Sequence, residues 1–242
     1  MILEVDAGNT LVKWRLRDGL EIRQRGSYER NNDFSIEITE QQMVESIYVS
    51  SVADLEYENV LTQNLLHNFS VFPWFARSST RCAGVCNSYE DPSLMGVDRW
   101  LAMLAAYNDC SGAVCVIDVG SALTIDFVMT NGMHRGGYIL AGTELIKSTL
   151  LKNTDRVRFE KGAVGSLEPG SSTLAAVNNG VLLSHVGSVK LALEQIGQSE
   201  GHEFSLYFCG GDGRRLQEAL AVESSYNPEL VLDGLSLAAA DV

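Results

Sequence analysis

VDAGNTLVKWRL, residues 5–16, is the stretch that decides the fold. An apolar run ends at Asp6, and Gly8-Asn9-Thr10 separates it from a second run in which apolar and charged residues alternate. Alternation with a period of two is typical of a half-buried β-strand, and glycine suits the turn between two strands. The stretch therefore predicts a β-hairpin with a carboxylate and small polar residues at its tip.

The same pattern returns in VIDVGSALT, residues 116–124. Both segments consist of an apolar run, an aspartate, one further residue, a glycine, a residue with a hydroxyl or amide side chain, and a second strand-like run. Nearly half of the 242 residues separate Asp6 from Asp118. We interpret the repeat as a duplicated α/β unit with lobes at residues 1–108 and 109–242. No linker rich in Pro, Gly or Ser separates them, so we expect the lobes to pack directly.

Hydrophobic periodicity predicts the remaining elements. The predicted strands are residues 2–6, 11–16, 20–26, 46–52, 70–75, 113–119, 123–129, 134–140 and 204–209. The predicted helices are residues 60–68, 95–107, 143–151, 173–195, 214–221 and 230–239. Residues 30–40 are polar and are predicted to form a loop that leads into a short helix. Asp91 followed by Pro92 is typical of a helix start.

Charge and composition exclude several classes of partner. The net charge is −13 and the isoelectric point is about 4.7, so the electrostatic field repels nucleic acid and anionic membranes. No apolar run approaches the ~20 residues that a membrane-spanning helix needs. The first residues lack the basic and apolar regions of a secretion signal. We therefore expect a cytoplasmic protein with no nucleic-acid or membrane partner.

The spacing of cysteine and histidine argues against a metal site built from these residues. Zinc sites need paired cysteines or histidines at short, matched spacings, and the chain has no such set. The cysteines are odd in number and scattered, at Cys82, Cys86, Cys110, Cys115 and Cys209. We expect reduced thiols.

The two predicted hairpin tips have the composition of phosphate-binding loops. Gly8 and Gly120 let the backbone approach a phosphate because no Cβ stands in the way, and turn amides can then donate to phosphate oxygens. Further donors and a positive charge are available from Asn9, Thr10, Ser121 and Lys13. Asp6 and Asp118 would repel phosphate, so each needs a cation or a water in between. Two ordinary turns are the alternative, but the repetition at half-chain spacing favours a nucleotide between the lobes.

Five motifs occur in the order in which type III pantothenate kinases have them: DAGNTLVKW, GVDRW, DVGSALTID, GGYILAG and SSTLAAV. The chain resembles this family, part of the acetate and sugar kinase, Hsp70 and actin superfamily, over nearly its whole length. The resemblance implies two ribonuclease-H-like lobes with mixed central sheets, as in actin-like ATPases, and a nucleotide cleft between them. It also implies phosphorylation of pantothenate by ATP with Mg²⁺, the first step of coenzyme A biosynthesis. The family forms homodimers with substrate sites near the subunit interface.

The resemblance assigns roles to individual residues. Asp6–Lys13 and Asp118–Thr124 resemble the family's two phosphate loops, and Asp118 matches the aspartate that binds potassium or ammonium. Asp98 matches the proposed catalytic base. The pantothenate contacts implied are Tyr89, Gly96, Val97, Asp98, Arg99 and Thr173. The family usually has threonine where this chain has Ser121, so we expect a retained but weaker phosphate contact there.

The residues themselves leave alternatives open. Asp98 can accept a hydroxyl proton and Arg99 can hold a substrate carboxylate, yet adjacent residues do not share a helix face. Thr173 could instead cap a helix, or act from the partner chain, and Tyr89 could be a packed aromatic. CGGDG, residues 209–213, is either the turn near the adenosine or a plain strand-to-helix turn.

Two rival functions use the same scaffold. A non-catalytic nucleotide-binding regulator would keep the phosphate loops and lose the base, so the presence of Asp98 and Arg99 argues against it. A kinase for another small hydroxy acid is harder to exclude from sequence, because a substrate pocket includes variable side chains.

Overall fold

The computed structural model describes residues 1–39, 44–110, 112–153, 165–201 and 203–241. Contacts divide the chain into two compact units, one formed by Met1–Asp109 with Glu229–Val242 and the other by Cys110–Pro228. Each unit contains a five-stranded mixed sheet with helices. This arrangement confirms the predicted α/β class with two lobes.

The elements of Met1–Asp109 follow one another as strands, one long helix, short strand pairs and a second helix. They are β1 (Ile2–Ala7), β2 (Leu11–Asp18), β3 (Glu21–Glu29), β4 (Ser46–Ser51), α1 (Leu55–Phe69), β5 (Trp74–Phe75), β6 (Arg81–Cys82), β7 (Val85–Cys86), a 3₁₀ turn (Pro92–Leu94) and α2 (Val97–Asp109). The sheet order is β3-β2-β1-β4-β5. β1, β2 and β3 pair antiparallel, whereas β4 and β5 join in parallel.

The second unit repeats this order. Its elements are β8 (Val114–Val119), β9 (Ala122–Val128), β10 (His134–Ala141), α3 (Thr143–Asn153), α4 (Thr173–Glu200), β11 (Ser205–Cys209), α5 (Gly213–Leu220) and β12 (Ser225–Tyr226). Its sheet runs β10-β9-β8-β11-β12, with antiparallel pairs on one side of β8 and parallel pairs on the other. The shared strand order and directions are what a duplicated unit predicts. The last helix, α6 (Leu230–Ala240), groups with the first unit.

Each sheet buries one apolar face under a helix. In the first unit Leu3 and Val5 of β1 pack with Leu61 and Leu65 of α1, and all four are at most 2% exposed. In the second unit the apolar face of β8 and β9 packs against α4, with Ile117, Ile125, Leu182, Val186 and Val189 in one cluster. The apolar faces of the strands are thus covered, while the polar residues at the two hairpin tips are exposed.

A buried ion-pair network holds α6 on the opposite face of the first sheet. Glu4 is fully buried, and its Oε2 accepts a hydrogen bond of 2.6 Å from Arg15 Nε. Arg15 Nη1 also donates to Asp233 Oδ1 of α6 at 2.7 Å. Burial lowers the pKa of Arg15, but the contacts with Glu4 and Asp233 outweigh burial and raise it. These contacts explain why residues Glu229–Val242 group with the first unit, whereas the sequence-based division placed all of residues 109–242 in the second lobe.

Several predicted boundaries differ from the structure. Only Trp74–Phe75 of the predicted strand 70–75 pairs with β4, because Ser70 ends α1 in the left-handed conformation (φ 56°) and the chain then turns. Asp91 does cap a helix, accepting from the Ser93 amide at 3.0 Å, but that helix is the single 3₁₀ turn. The position of the short helix expected after residues 30–40 falls partly outside the described residues.

Candidate functional site

The tip between β1 and β2 is the first candidate phosphate loop. The Gly8 amide donates to the Leu11 carbonyl at 3.1 Å, and a Cβ on Gly8 would lie 3.0 Å from the same oxygen. The register places Asp6 opposite Lys13 on β2. Both residues are half-buried, while Asn9 and Thr10 are exposed at the tip. The loop thus presents polar side chains and backbone to solvent, and Asp6 and Lys13 lie opposite each other in the two strands just behind it.

Arg30 contacts this loop, and sequence analysis missed it. Its backbone amide donates to the Thr10 carbonyl at 2.9 Å, and its Nη1 donates to Asn9 Oδ1 at 3.3 Å. Its guanidinium carbon lies 4.3 Å from the centre of the Tyr57 ring. No motif marks the position, because the contact depends on how the chain leaves β3 rather than on a local pattern.

Five of the six residues expected to bind pantothenate lie at or contact the start of α2, and the sixth, Thr173, begins α4 in the other unit. Asp98 lies in the first helical turn, and its Oδ1 accepts a hydrogen bond of 2.7 Å from the Arg99 amide. Gly96 precedes the helix, and a Cβ there would stand 2.7 Å from that same Oδ1. Glycine therefore leaves the space that the carboxylate occupies. The side chain of Val97 is buried.

Tyr89 and Arg99 contact each other. Arg99 is 7% exposed, and its Nη1 donates to the Tyr89 hydroxyl at 3.0 Å. The guanidinium carbon also lies 5.9 Å from the Tyr89 ring centre. Tyr89 is held in turn by its amide, which donates to Asn87 Oδ1 at 3.0 Å. The sequence suggested these two residues separately, but in the structure they form one contact, in which the tyrosine fixes the direction of a buried guanidinium.

A groove of about 480 Å³ runs along the first unit to the start of α2. Its lining includes Arg77, Ser78, Gly96 and Val97. Tyr89, Asp98 and Arg99 are not among its lining residues. The groove therefore reaches Gly96 and the first residue of α2, and the Asp98 carboxylate lies next to Gly96.

The tip between β8 and β9 is the second candidate loop. The Gly120 amide donates to the Ala122 carbonyl at 2.9 Å, and the Ser121 carbonyl accepts from the Gly142 amide at 3.1 Å. Gly120 and Ser121 are exposed. The hairpin tip is therefore tied to the start of α3 while its own polar groups face solvent.

Asp118 lies against the glycine-rich turn 209–213. Cys209 is its register partner on β11, and a Cβ on Gly210 (φ +80°) would overlap Asp118 Oδ1 and the Val119 carbonyl oxygen. The Asp212 amide donates to that Val119 oxygen at 3.0 Å. Within the second unit, CGGDG is thus packed beside the carboxylate that the resemblance assigns to a cation.

Thr173 is exposed at the first position of α4. The N-cap of that helix is Ser172, whose Oγ accepts from the Ala175 amide at 3.2 Å. The alternative role of Thr173 as the cap is therefore taken by its neighbour.

The donor set fits a divalent ion carried by a nucleotide rather than a metal caged by protein. Among the described residues, no three or more His, Cys, Asp or Glu side chains form a group that could hold a metal ion. Mg²⁺ at nucleotide sites is typically held by phosphate oxygens, waters and one or two carboxylates. Asp6 at the first loop and Asp118 at the second offer one carboxylate each. Monovalent cations also take oxygen ligands, which Asp118 and nearby backbone carbonyls can supply.

The surroundings of two thiols raise their pKa. All five cysteines are free. Burial, and after it the nearby Asp126 carboxylate, raises the pKa of Cys115 well above its usual value. Burial and contact with Asp241 raise the pKa of Cys82 to about 11. Neutral thiols are poor nucleophiles, so Cys82 and Cys115 are not activated for attack. In the described part of the chain, no helix is long and apolar enough to cross a membrane.

A family model and several curated relatives agree on one family. Residues 2–195 match the family model of type III pantothenate kinase. The type III pantothenate kinase of Chromohalobacter salexigens is 38% identical over 243 residues, which is 97% of this chain and 86% of that protein. The enzymes of that name from Pseudomonas putida and Alcanivorax borkumensis are 36% and 37% identical. Each alignment covers at least 98% of this chain and at least 98% of the relative.

Solved structures share the fold at low identity. A Baf family transcriptional activator from Campylobacter jejuni aligns with a TM-score of 0.61 and 20% identity, covering 98% of this chain and 97% of its own. A protein described as a 2-dehydro-3-deoxygalactonokinase from Sinorhizobium meliloti aligns with a TM-score of 0.61 and 12% identity, covering 99% and 98%. These likenesses show the fold alone, which is the sugar-kinase and actin-like fold expected from the sequence.

Proposed function

This chain belongs to the type III pantothenate kinase family, the enzymes that phosphorylate pantothenate in coenzyme A biosynthesis, and on that premise we propose that Asp98 is its catalytic base. The observation that carries the proposal is the grouping at the start of α2. Asp98 lies beside the Gly96 backbone, and the neighbouring Arg99 is held by the Tyr89 hydroxyl. A carboxylate and an oriented guanidinium at one helix start suit a substrate that has a hydroxyl at one end and a carboxylate at the other.

The proposed reaction needs little from the protein beyond position and charge. The Asp98 carboxylate accepts the proton of the primary hydroxyl of pantothenate as the hydroxyl oxygen attacks the γ-phosphorus of ATP. Arg99 binds the substrate carboxylate, and Tyr89 keeps the guanidinium pointing towards it. Gly96 and the Val97 backbone border the substrate. ADP leaves with the bridging oxygen, and 4'-phosphopantothenate is the product.

The two hairpin tips are proposed to bind the phosphates of ATP. Gly8 with Asn9, Thr10 and Lys13 forms the first loop, and Gly120 with Ser121 forms the second. When bound, Mg²⁺ neutralises phosphate charge, and Asp6 is the carboxylate of the first loop that would face it. Asp118 would hold the monovalent cation, potassium or ammonium. The close packing of the Gly210 turn on its carboxylate supports this assignment, since it fixes the position of the carboxylate oxygen.

We further propose a homodimer that forms through α4. Four residues at helical spacing form an exposed stripe of apolar and small side chains on this helix: Gly180, Leu183, Gly187 and Leu191. The two leucines are 57% and 58% exposed. Thr173 begins the same helix, so a second copy seated on the stripe would place Thr173 near the subunit interface, where it would contact pantothenate. Light scattering after size exclusion should give twice 26.4 kDa for the wild type. Leu183→Glu should convert the protein to a monomer. A wild type that is itself monomeric would refute the dimer.

The decisive assay couples ADP release to a panel of hydroxy acids that includes pantothenate. We expect turnover with pantothenate, and we expect the rate to depend on potassium or ammonium. We also propose that the enzyme is cytoplasmic and that its five thiols stay reduced. Asp98→Asn should bind ATP and pantothenate normally while turnover falls by about 10²–10⁴-fold, the range for a lost general base. Turnover of Asp98→Asn near the wild-type rate would refute the proposed base. Equal turnover of several other hydroxy acids would refute pantothenate as the substrate.

A further inference from the structure

Arg30 is tied to the first candidate phosphate loop by two contacts. Its backbone amide holds the Thr10 carbonyl at 2.9 Å, and its Nη1 holds Asn9 Oδ1 at 3.3 Å. A third contact fixes its side chain from behind, since the guanidinium lies over the Tyr57 ring at 4.3 Å. Arginine stacks well on aromatic faces and keeps its donors in a fixed plane when it does so. The side chain is therefore aimed at the loop rather than loosely solvated.

No carboxylate among the described residues forms an ion pair with Arg30. Five other arginines of the first unit form ion pairs with Asp or Glu: Arg15, Arg17, Arg23, Arg25 and Arg77. Among the residues that the structure describes, Arg30 has no such partner, although the chain carries a net charge of −13. Of its five N–H donors, a single one is used, on Asn9. A half-buried arginine without a carboxylate, next to a phosphate loop, suits an anionic ligand.

We propose that Arg30 is a positioning residue of the first phosphate loop, which sets the amide of Asn9 for ATP and adds positive charge beside it. The inference rests on the proposed function of that loop. An asparagine amide has an accepting end and a donating end, and a guanidinium can only donate. Arg30 therefore binds the Oδ1 end, which directs the Nδ2 donors of Asn9 away from Arg30. Phosphate oxygens only accept, so this is the orientation in which Asn9 binds ATP, and a flipped amide would repel it.

The first test separates ATP binding from the chemical step. Arg30→Gln should raise the KM for ATP about tenfold, the effect of losing one charge-assisted hydrogen bond. The kcat and the KM for pantothenate should stay within about twofold. Arg30→Lys keeps the charge but loses the fork, so we expect an intermediate rise of about threefold. Arg23→Gln is the matched control on β3, because Arg23 is exposed and pairs with Asp18 and Glu21. It should leave all three constants unchanged.

The second test asks whether Arg30 acts through Asn9. In an Asn9→Ala background, Arg30→Gln should raise the KM for ATP by less than about threefold, because the amide that it orients is gone. An undiminished tenfold effect in that background would overturn the positioning role. An unchanged KM for ATP in Arg30→Gln, or a wild-type value in Arg30→Lys, would overturn the proposal as well.

Equilibrium binding of Mg-ATP keeps this result distinct from the proposed function. If the wild type binds ATP but transfers no phosphate to pantothenate, the proposed substrate is wrong. The ratio of ATP dissociation constants for wild type and Arg30→Gln still decides the role of Arg30. Thermal unfolding of each variant checks that the fold is intact, and Arg30→Lys decides the question if Arg30→Gln unfolds.

Discussion

Replacement of Gly210 by alanine separates a backbone effect from a contact with Asp118. Gly210 has a φ of +80°, where an L-residue is strained, and a Cβ would overlap Asp118 Oδ1 and the Val119 carbonyl oxygen. The left-handed backbone costs about 1–2 kcal/mol, and overpacking costs about 1–3 kcal/mol. Gly210→Ala should therefore lower the free energy of unfolding by about 2–5 kcal/mol.

Gly201→Ala is the matched control in the same unit. Gly201 ends α4 with a φ of +66°, and no described atom beyond its chain neighbours lies within 4 Å of the position of its Cβ. Only the backbone cost applies, so the expected loss is about 1–2 kcal/mol. Urea unfolding measures the free energy of unfolding of both variants, with the same dependence on urea concentration assumed for each. The difference between their losses is the cost of the contact with Asp118 and Val119.

The same pair of variants tests the cation role of Asp118. A Cβ on Gly210 displaces the carboxylate, so Gly210→Ala should need more potassium for half-maximal activity. Gly201→Ala should respond to potassium as the wild type does. Equal destabilisation by the two alanines would show that the close approach is not there. An unchanged potassium response in a folded Gly210→Ala protein would remove the support that this packing gives to the cation site.

Three further variants test other parts of the structure. Arg99→Lys should raise the KM for pantothenate about tenfold in steady-state assays, with the KM for ATP unchanged, because lysine lacks the fork that reaches both a carboxylate and Tyr89; a shift in the KM for ATP instead would contradict this. Arg15→Met should lower the free energy of unfolding in urea by about 3 kcal/mol, because it leaves Glu4 buried with fewer partners; a loss below about 1 kcal/mol would refute the reasoning. Burial and Asp241 raise the pKa of Cys82 from 9.0 to about 11, so its contribution to stability is complete below about pH 9 and is lost as the pH rises towards 11. Cys82→Ala should flatten that part of the pH profile of unfolding, and identical profiles would contradict it.

The sequence predicts the hairpins well because their signals are local. In β2 the alternation of residues 11–16 places Lys13 and Arg15 on one face, and the structure has the predicted strand. The pattern does not show that Arg15 is buried, since that depends on Glu4 and on a helix that arrives from the other end of the chain. The place of α6 depends on long-range contacts: Asp233 accepts a hydrogen bond from Arg15, and Gly234 packs against the Leu101 carbonyl of α2.

The candidate site divides in the same way. The GVDRW motif predicts roles for Asp98 and Arg99, and the family resemblance adds Tyr89. The hydrogen bond between Arg99 and Tyr89 spans a segment that contains only a 3₁₀ turn. No periodicity fixes such a contact. Arg30 lacks even a motif, because its place beside Asn9 follows from the register in which β3 ends. Sequence patterns do not predict the contacts of side chains whose position depends on irregular backbone.

Gly8 and Gly120 occupy the same place in the repeated motif, but the packing around them differs. A Cβ on Gly8 would lie 3.0 Å from the Leu11 carbonyl oxygen, tighter than ordinary packing, so the hairpin itself favours glycine. A Cβ on Gly120 would make only ordinary contacts, 3.8 Å from Asp118 Oδ1 and 3.9 Å from the Ala122 carbonyl oxygen. The fold of the second hairpin therefore tolerates a side chain there. If the second hairpin binds phosphate as proposed, Gly120→Ala should weaken ATP binding while the protein stays folded, because a Cβ would stand where the phosphate approaches the backbone.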